Sequence, residues 1–384
     1  MSTAALLTES QREVQALARE FAREEIAPHA AEWNAAHHVP VDVLIRMGEL
    51  GLLGVIVPEE YEGSGLDYTS LCLVIEEVAR ADAGTSTALA VQNGLMATPL
   101  LRAGTPAQLE RWLPDVATGR RFAAYALTEP DAGSDTAAIR TRAVEEDGAW
   151  VVRGSKQWIT NGGFASVFLV FARTGGPGAK GVSAFVAESG PGLVVGREIP
   201  KMGLHTSSTV ELIFDDLRLE PDRMVGAPGE GLKLALSTLD SGRITIASQA
   251  CGIAGAALEV ATEYARERTA FGGPIARFQG VQFPLAEIAA KLDAARLLTL
   301  HAAALRDAGQ PHSAAGAKAK LFASAVAVEA ADVAVQTLGG YGYSAEFPAE
   351  RLYRDAKITQ LYEGTSEIQR MVIARDLLGD AARG

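Results

Sequence analysis

From about residue 230 the sequence is dominated by Ala, Leu and Val at helical spacing, over roughly 230–267, 277–308, 313–338 and 366–379. Helices this long cannot bury their apolar faces alone. They must pack against one another, so this part of the chain is expected to form a bundle of long helices. Whatever precedes it must then be compatible with a large helical wall.

The preceding sequence has two textures. Residues 1–120 read as helices, with apolar residues at helical spacing in "SQREVQALAREFAREEIAPHAAEWN" and a more buried set in "LDYTSLCLVIEEVARADAGTSTALAVQNGLMATPLLRAG". The stretch "GLLGVIVPEEYEGSGL" joins them as a glycine-punctuated connection. From about residue 122 the pattern changes to short β-like runs between turn residues, among them "FAAYALTE", "WVVRGSKQWIT", "SVFLVFAR", "VSAFVAE" and "TVELIFDDLRL". A chain of 384 residues exceeds a single compact core. The expectation is a multidomain α+β protein: an N-terminal α-helical domain over 1–120, an antiparallel β-barrel or sheet domain over 121–225, and a long four-helix bundle over 226–384.

Charge and composition exclude some functions. A net charge of −12 argues against nucleic acid or an anionic membrane as the main partner. No uninterrupted apolar run of membrane-spanning length is evident, so no membrane insertion is expected. The two cysteines, Cys72 and Cys251, lie in apolar helical stretches and read as buried small hydrophobes. The six histidines have no metal-ligand spacing and read as structural or solvated, and no metal is expected. The N-terminus passes directly into an amphipathic pattern with neither signal-peptide nor transit-peptide character, which points to a cytoplasmic protein.

Cofactor fingerprints are mostly missing. "GPGAKG" (176–181) fits G-x-G-x-x-G literally but joins two apparent strands, where a dinucleotide fold needs strand then helix; it reads as a hairpin turn. "YALTEPDAGSD" (125–135) is a strand end followed by a loop. It is either an ordinary turn or a cradle of N–H groups and hydroxyls. "KQWITNGG" (156–163) places Trp158 and Thr160 on one face of a strand, as core residues or against a flat ring. Asp240 and Arg243 share a helix face, which reads as a surface ion pair. In "LYEGTSEIQR", Ser366 to Gln369 fits a capping box, which puts Glu363 just before a helix start, with Gly364 leaving space beside it. Glu363 is either an aid to that start or a base tuned between burial and the helix dipole.

Together these segments resemble the acyl-CoA dehydrogenase family, and its short-chain (butyryl-CoA) branch in particular. "YALTEPDAGSD", "KQWITNGG", "HTSSTVELIFDD", "DSGRITIASQACGIA", "ERTAFGG", "QTLGGYGY", "PAERLYRDAKI" and "LYEGTSEIQR" run in family order from residue 125 to 370. The resemblance implies FAD-dependent α,β-dehydrogenation of a short- to medium- or branched-chain acyl-CoA to a trans-2-enoyl-CoA. Glu363 would take the α-proton while hydride leaves to flavin N5. It implies flavin contacts at Tyr125, Ala126, Leu127, Thr128, Gly133 and Ser134, and at Trp158, Ile159 and Thr160. Further FAD contacts fall on Arg268, Phe271, Gln279, Gln336, Gly339, Gly340, Thr365 and Glu367, several of them across a dimer interface. Substrate contacts fall on Ser134, Asp240, Arg243, Tyr362 and Gly364. A homotetramer built as a dimer of dimers, and an electron-transferring flavoprotein as electron acceptor, belong to the same implication.

Isovaleryl- and long-chain-type relatives place the base just before the matched arginine; here that position is Gly242, which carries no base. Departures from the family pattern are Asp131 where glycine is frequent, His205 where arginine is common, and Ala270 where threonine often meets the cofactor. The alternatives are a same-fold flavoenzyme with altered chemistry, such as a nitroalkane oxidase or an oxidase-like enzyme, and a non-catalytic helical scaffold.

Overall fold

The computed structural model describes residues 6–382; residues 1–5, part of the N-terminal stretch read above, and residues 383–384 lie outside it. The first region consists of α1 (Glu9–Phe21), α2 (Ala30–Ala36), α3 (Val41–Glu49), α4 (Tyr68–Ala81), α5 (Ala83–Ala90), α6 (Thr98–Ala103) and α7 (Pro106–Ala117). Helices α1 and α7 start with Thr-x-x-Gln capping boxes, which satisfy backbone donors left free by the first turn. Asp82 ends α4 and caps α5, so one acidic side chain turns the chain between two buried helices.

The strands are β1 (Ala123–Ala126), β2 (Arg142–Glu146), β3 (Ala149–Thr160), β4 (Val167–Arg173), β5 (Val182–Glu188), β6 (Leu193–Glu198), β7 (Thr209–Leu219) and β8 (Met224–Val225). They form one eight-stranded sheet in the order β6-β7-β3-β2-β4-β5-β8, with β1 added against β4. β1 pairs with β4 in parallel, Ala123 opposite Val167 and Ala126 opposite Val170, and β2 meets β4 in parallel at Arg142 and Arg173. The expected antiparallel sheet is therefore mixed. Strand β4 is buried on both faces: Val167, Leu169 and Phe171 pack toward the helical side, and Phe168, Val170 and Ala172 toward the inner face of the sheet. The 176–181 segment joins antiparallel β4 and β5, as expected of a turn.

The last region is α8 (Gly231–Glu267), the short β9 (Thr269–Ala270) and β10 (Gly273–Pro274), α9 (Gln279–Asp307), α10 (Ser313–Leu338), α11 (Pro348–Ile358) and α12 (Ser366–Leu378). The four long stretches read from the sequence are helices close to their expected bounds, and α11 is an addition. One expectation needs correction: α8 and the stretch from Ser313 to Tyr343 are long and apolar enough to cross a bilayer. Their Ala- and Gly-rich composition serves close packing instead for α8, which is buried along most of its apolar length. Gly316 shows how close: a Cβ there would lie 3.1 Å from Asp240 O on α8. Cys72 and Cys251 are buried free thiols, as expected.

Candidate active site

Glu363 lies in the short connection between α11 and α12. Its φ is +50° and that of Gly364 is +91°, a left-handed pair that reverses the chain before the helix. Gly364 suits its angle, but a glutamate held there is strained. The turn is locked from below. Gln369, fully buried on α12, donates through Nε2 to Gly364 O at 2.7 Å, and Lys320 Nζ of α10 donates to the same carbonyl at 2.6 Å. Two sequence readings change here. The cap of α12 is Thr365, whose hydroxyl accepts from Ile368 N, and not Ser366. Gly364 does not border open space, since a Cβ there would meet Gln369 Nε2 at 2.8 Å; its angle is what demands glycine.

The carboxylate points at α8. A Cβ built on Gly242 would overlap Glu363 Oε2, so the missing side chain of Gly242 makes the seat in which the carboxylate rests. Oε2 is inaccessible and has no hydrogen-bond partner among the described residues. Burial pushes the carboxyl up to about 7, opposed by the positive charges of Lys320 and Arg243. Tyr68, Tyr125 and Tyr362 surround it, each raised well above its usual value by burial and by the Glu363 charge, so each remains neutral. Their hydroxyls are committed elsewhere: Tyr68 to Ser241 O at 2.9 Å, Tyr125 to Ala235 O at 3.3 Å, and Tyr362 to Gln249 Oε1. The Glu363 N–H has no hydrogen-bond partner among the described residues.

Asp240 and Arg243 are not a surface pair. Arg243 is buried, bonded to Asp240 Oδ1, and Ser313 Oγ donates to the same oxygen at 2.8 Å. Arg243 Nε is left without a partner. A cleft of about 360 Å³ lined by Tyr68, Thr98, Arg102, Ser241 and Arg306 approaches this corner and stops one residue short of Gly242.

The two segments expected around a flavin lie side by side, because Gln157 N donates to Thr128 O at 2.9 Å. Beneath them Lys156 and Glu129, both buried, form an ion pair at 2.7 Å. Lys156 also donates to Leu127 O at 3.0 Å, and Glu129 accepts from the N–H groups of Arg140 and Thr141. Against burial, which raises it, Lys156, the Arg140 amide and Thr141 hold the Glu129 carboxyl below its usual value. Trp158 does not follow simple strand alternation. A bulge between Lys156 and Ile159 and a φ of +64° turn it outward, 53% exposed, while Ile159 stays in the sheet core. The hydroxyls of Thr128, Ser134 and Thr160 have no hydrogen-bond partner among the described residues, and no atom lies within 4 Å of a Cβ on Gly133. A broad aromatic face, free hydroxyls and open backbone fit the edge of a flat heteroaromatic ring.

The remaining expected cofactor residues form a second group. Arg268 lies over the Tyr341 ring at 5.7 Å, which ties it to the Gln336–Gly340 segment, and Phe271 packs edge-on against Phe278 just before Gln279. Phe271 is 89% exposed, Gly339 and Gly340 face open space, and Glu367 is exposed and paired with Arg370. No hydrogen bond, ion pair or ring contact among the described residues joins this group to the Trp158 cradle. Trp158, Phe271 and Glu363 all carry positive φ without being glycine, strain of the kind that clusters at working sites. Lys320, Lys156 and Gln249 were not singled out from sequence, and Gln369 was read as part of a capping box rather than as the lock on the Gly364 carbonyl. The only signal was a polar residue at a core-facing position of an apolar helix or strand.

Comparison with known proteins decides the family. The acyl-CoA dehydrogenase N-terminal, middle and C-terminal domain models match residues 8–120, 124–217 and 229–378. The chain belongs to the acyl-CoA dehydrogenase family. The short-chain specific acyl-CoA dehydrogenase of Mus musculus is 46% identical over 374 residues, covering 97% of this chain and 91% of that one. Butyryl-CoA dehydrogenase from Megasphaera elsdenii superposes with a TM-score of 0.95 at 42% identity, covering 97% of this chain and 99% of that one. A chain in a solved structure of the electron transferring flavoprotein of Acidaminococcus fermentans gives 0.96 at 46%, with coverage of 97% and 99%. The cytoplasmic expectation is corrected by these relatives: the mouse protein and its rat and human counterparts are mitochondrial, and the first residues of this sequence carry no argument to the contrary.

Proposed function

We propose that this acyl-CoA dehydrogenase removes the α-proton of a short-chain acyl-CoA with Glu363 and forms the α,β-unsaturated thioester. The observation that carries the proposal is the Glu363 carboxylate in the seat left by Gly242, its Oε2 inaccessible and without a partner among the described residues. A carboxyl near 7 divides its time between base and acid at neutral pH, which suits proton abstraction from carbon. The unpartnered Glu363 N–H is placed to donate to the thioester carbonyl and so acidify the adjacent carbon. Tyr125 to Thr128, Gly133, Ser134 and Trp158 to Thr160 would hold the ring edge of FAD, which would supply the hydride acceptor.

Chain length is limited along α8. Gln249 lies seven residues beyond Gly242, roughly 10 Å along the helix. Its amide is bound to Ala83 O, Ser86 Oγ and Thr87 Oγ1 while its carbonyl accepts from Tyr362. This buried polar plug closes the space beside the base to longer acyl chains. Asp240, Arg243 and Ser134 are assigned to the CoA portion.

The chain divides at 120/121 and 225/226 into the three units expected from sequence. A second copy covers Phe271, Phe283, Tyr343, Leu377 and Leu378, all largely exposed here, and completes the Arg268, Gln279 and Gln336–Gly340 group for the dinucleotide end of FAD. The assembly is a homotetramer that hands electrons to an electron-transferring flavoprotein. The test is anaerobic addition of butyryl-CoA to the yellow holoenzyme, which should bleach it. Glu363→Gln should retain FAD and bind acyl-CoA while losing turnover by about a hundred- to ten-thousand-fold. In the unsubstituted enzyme kcat should rise with pH through about 7, because Glu363 must be ionised to accept the proton. Near-normal turnover in Glu363→Gln would sink the assignment.

A further inference from the structure

Lys320 is 1% exposed, in the middle of α10, with Ala317, Ala319 and Ala323 as buried neighbours in sequence. An ammonium in such a place is costly, and a leucine or methionine would fill the space without that penalty. No carboxylate among the described residues forms an ion pair with it. Its hydrogen bond goes to a carbonyl, Gly364 O, one residue from Glu363. Burial pulls its proton affinity down to about 8, with Glu363 the charge that opposes the loss. The geometry is therefore one-sided: the chain keeps a buried cation against the turn that carries its buried anion.

We infer that Lys320 is a positioning and charge-setting residue for Glu363, fixing the strained turn through the Gly364 carbonyl and supplying from behind the positive charge that keeps the carboxylate ionised. This rests on the reading of Glu363 as the base. The other charged or titratable groups facing Glu363 are Arg243 on α8, Tyr68 on α4, Tyr125 on β1 and the adjacent Tyr362. The tyrosines are neutral. Arg243 has its charge engaged by Asp240, and Lys320 has no such neutralising partner among the described residues. Lys320 meets the far side of the turn and acts through it, so it should govern the rate and pH dependence of proton abstraction with little effect on substrate binding.

Two substitutions separate the roles. Lys320→Gln keeps a donor and removes the charge; Lys320→Met removes both. In both holoenzymes the acidic limb of the kcat–pH profile should move to higher pH by about one unit, the low end of what a nearby opposite charge produces, with KM nearly unchanged. Lys320→Met should also lose plateau kcat, because the Gly364 carbonyl then keeps only its bond from Gln369. A readout independent of turnover is the thermal midpoint of the same proteins, with and without Glu363→Gln. At pH 7.5, between the two groups, the loss caused by Lys320→Met should depend on whether Glu363 is present; at pH 5, where that carboxyl is protonated, the dependence should vanish. An unmoved acidic limb in both variants, or thermal losses that simply add at pH 7.5, would overturn the inference. Failure of the base assignment is distinct, because Glu363→Gln alone would then remain active.

Discussion

Lys156 and Lys320 are both buried lysines beside the proposed reaction centre, and both have their proton affinity lowered to about 8 by burial. They sit in opposite electrostatic settings. Lys156 faces Glu129 at 2.7 Å, and that carboxylate is further bonded to two backbone amides. Lys320 faces a carbonyl, and the carboxylate nearby, Glu363, has an oxygen with no partner. The first pair is saturated and holds the loops that frame a flat ring. The second is left unsaturated, which costs stability but preserves a carboxylate able to take a proton. Rigid support and reactive potential thus come from the same residue types, separated by how completely their hydrogen bonds are filled.

The largest way to break the contrast is Gly242→Ala. The new methyl overlaps the Glu363 carboxylate, and displacing a catalytic group by about 1 Å is worth on the order of a hundredfold in rate. Turnover should fall at least that far with FAD still bound; unchanged kcat would show that the carboxylate does not work from this seat. Next comes Lys156→Met, which leaves Glu129 buried without its cation. It should cost about 3–5 kcal/mol in denaturant unfolding and weaken FAD retention, and adding Glu129→Gln should restore part of the loss. A double-variant loss equal to the sum of the Lys156→Met and Glu129→Gln losses would mean that the pair is not coupled. The smallest effect is expected from Gln249→Ala, which opens the polar plug while leaving Gly242 and Glu363 in place. The ratio of kcat/KM for hexanoyl- over butyryl-CoA should rise by about tenfold, the scale of one or two methylenes in an apolar pocket. A ratio that stays put would place the end of the acyl site elsewhere.

Much of the fold was legible because it is written locally. Ala/Leu/Val periodicity marked the four long C-terminal helical stretches close to their ends, and turn residues marked the middle strands. The parallel pairing of β1 with β4 was not legible. It joins Ala123 to Val167 across more than forty residues, and neither segment alone encodes a direction. Glu363 and the Trp158 segment stood out through family resemblance, yet their physical setting did not. Gly242 lies in a helix far from Glu363 in sequence, so its role as a seat exists only once α8 and the 363–364 turn meet. Lys320 was hidden for a different reason: lysines ordinarily point outward, so one in an Ala-rich helix reads as solvated. Thr365 and Ser366 are both able caps, and only backbone geometry selects the first.

The overlap between Gly242 and the Glu363 carboxylate also bears on how such enzymes diverge. Relatives that carry their base just before the matched arginine put a carboxylate on the position occupied here by Gly242. In this chain the two positions compete for one volume, so a glutamate at 242 would have to turn the Glu363 carboxylate out of its seat. The reciprocal swap, Gly242→Glu with Glu363→Gly, moves the base from one element to the other without that competition.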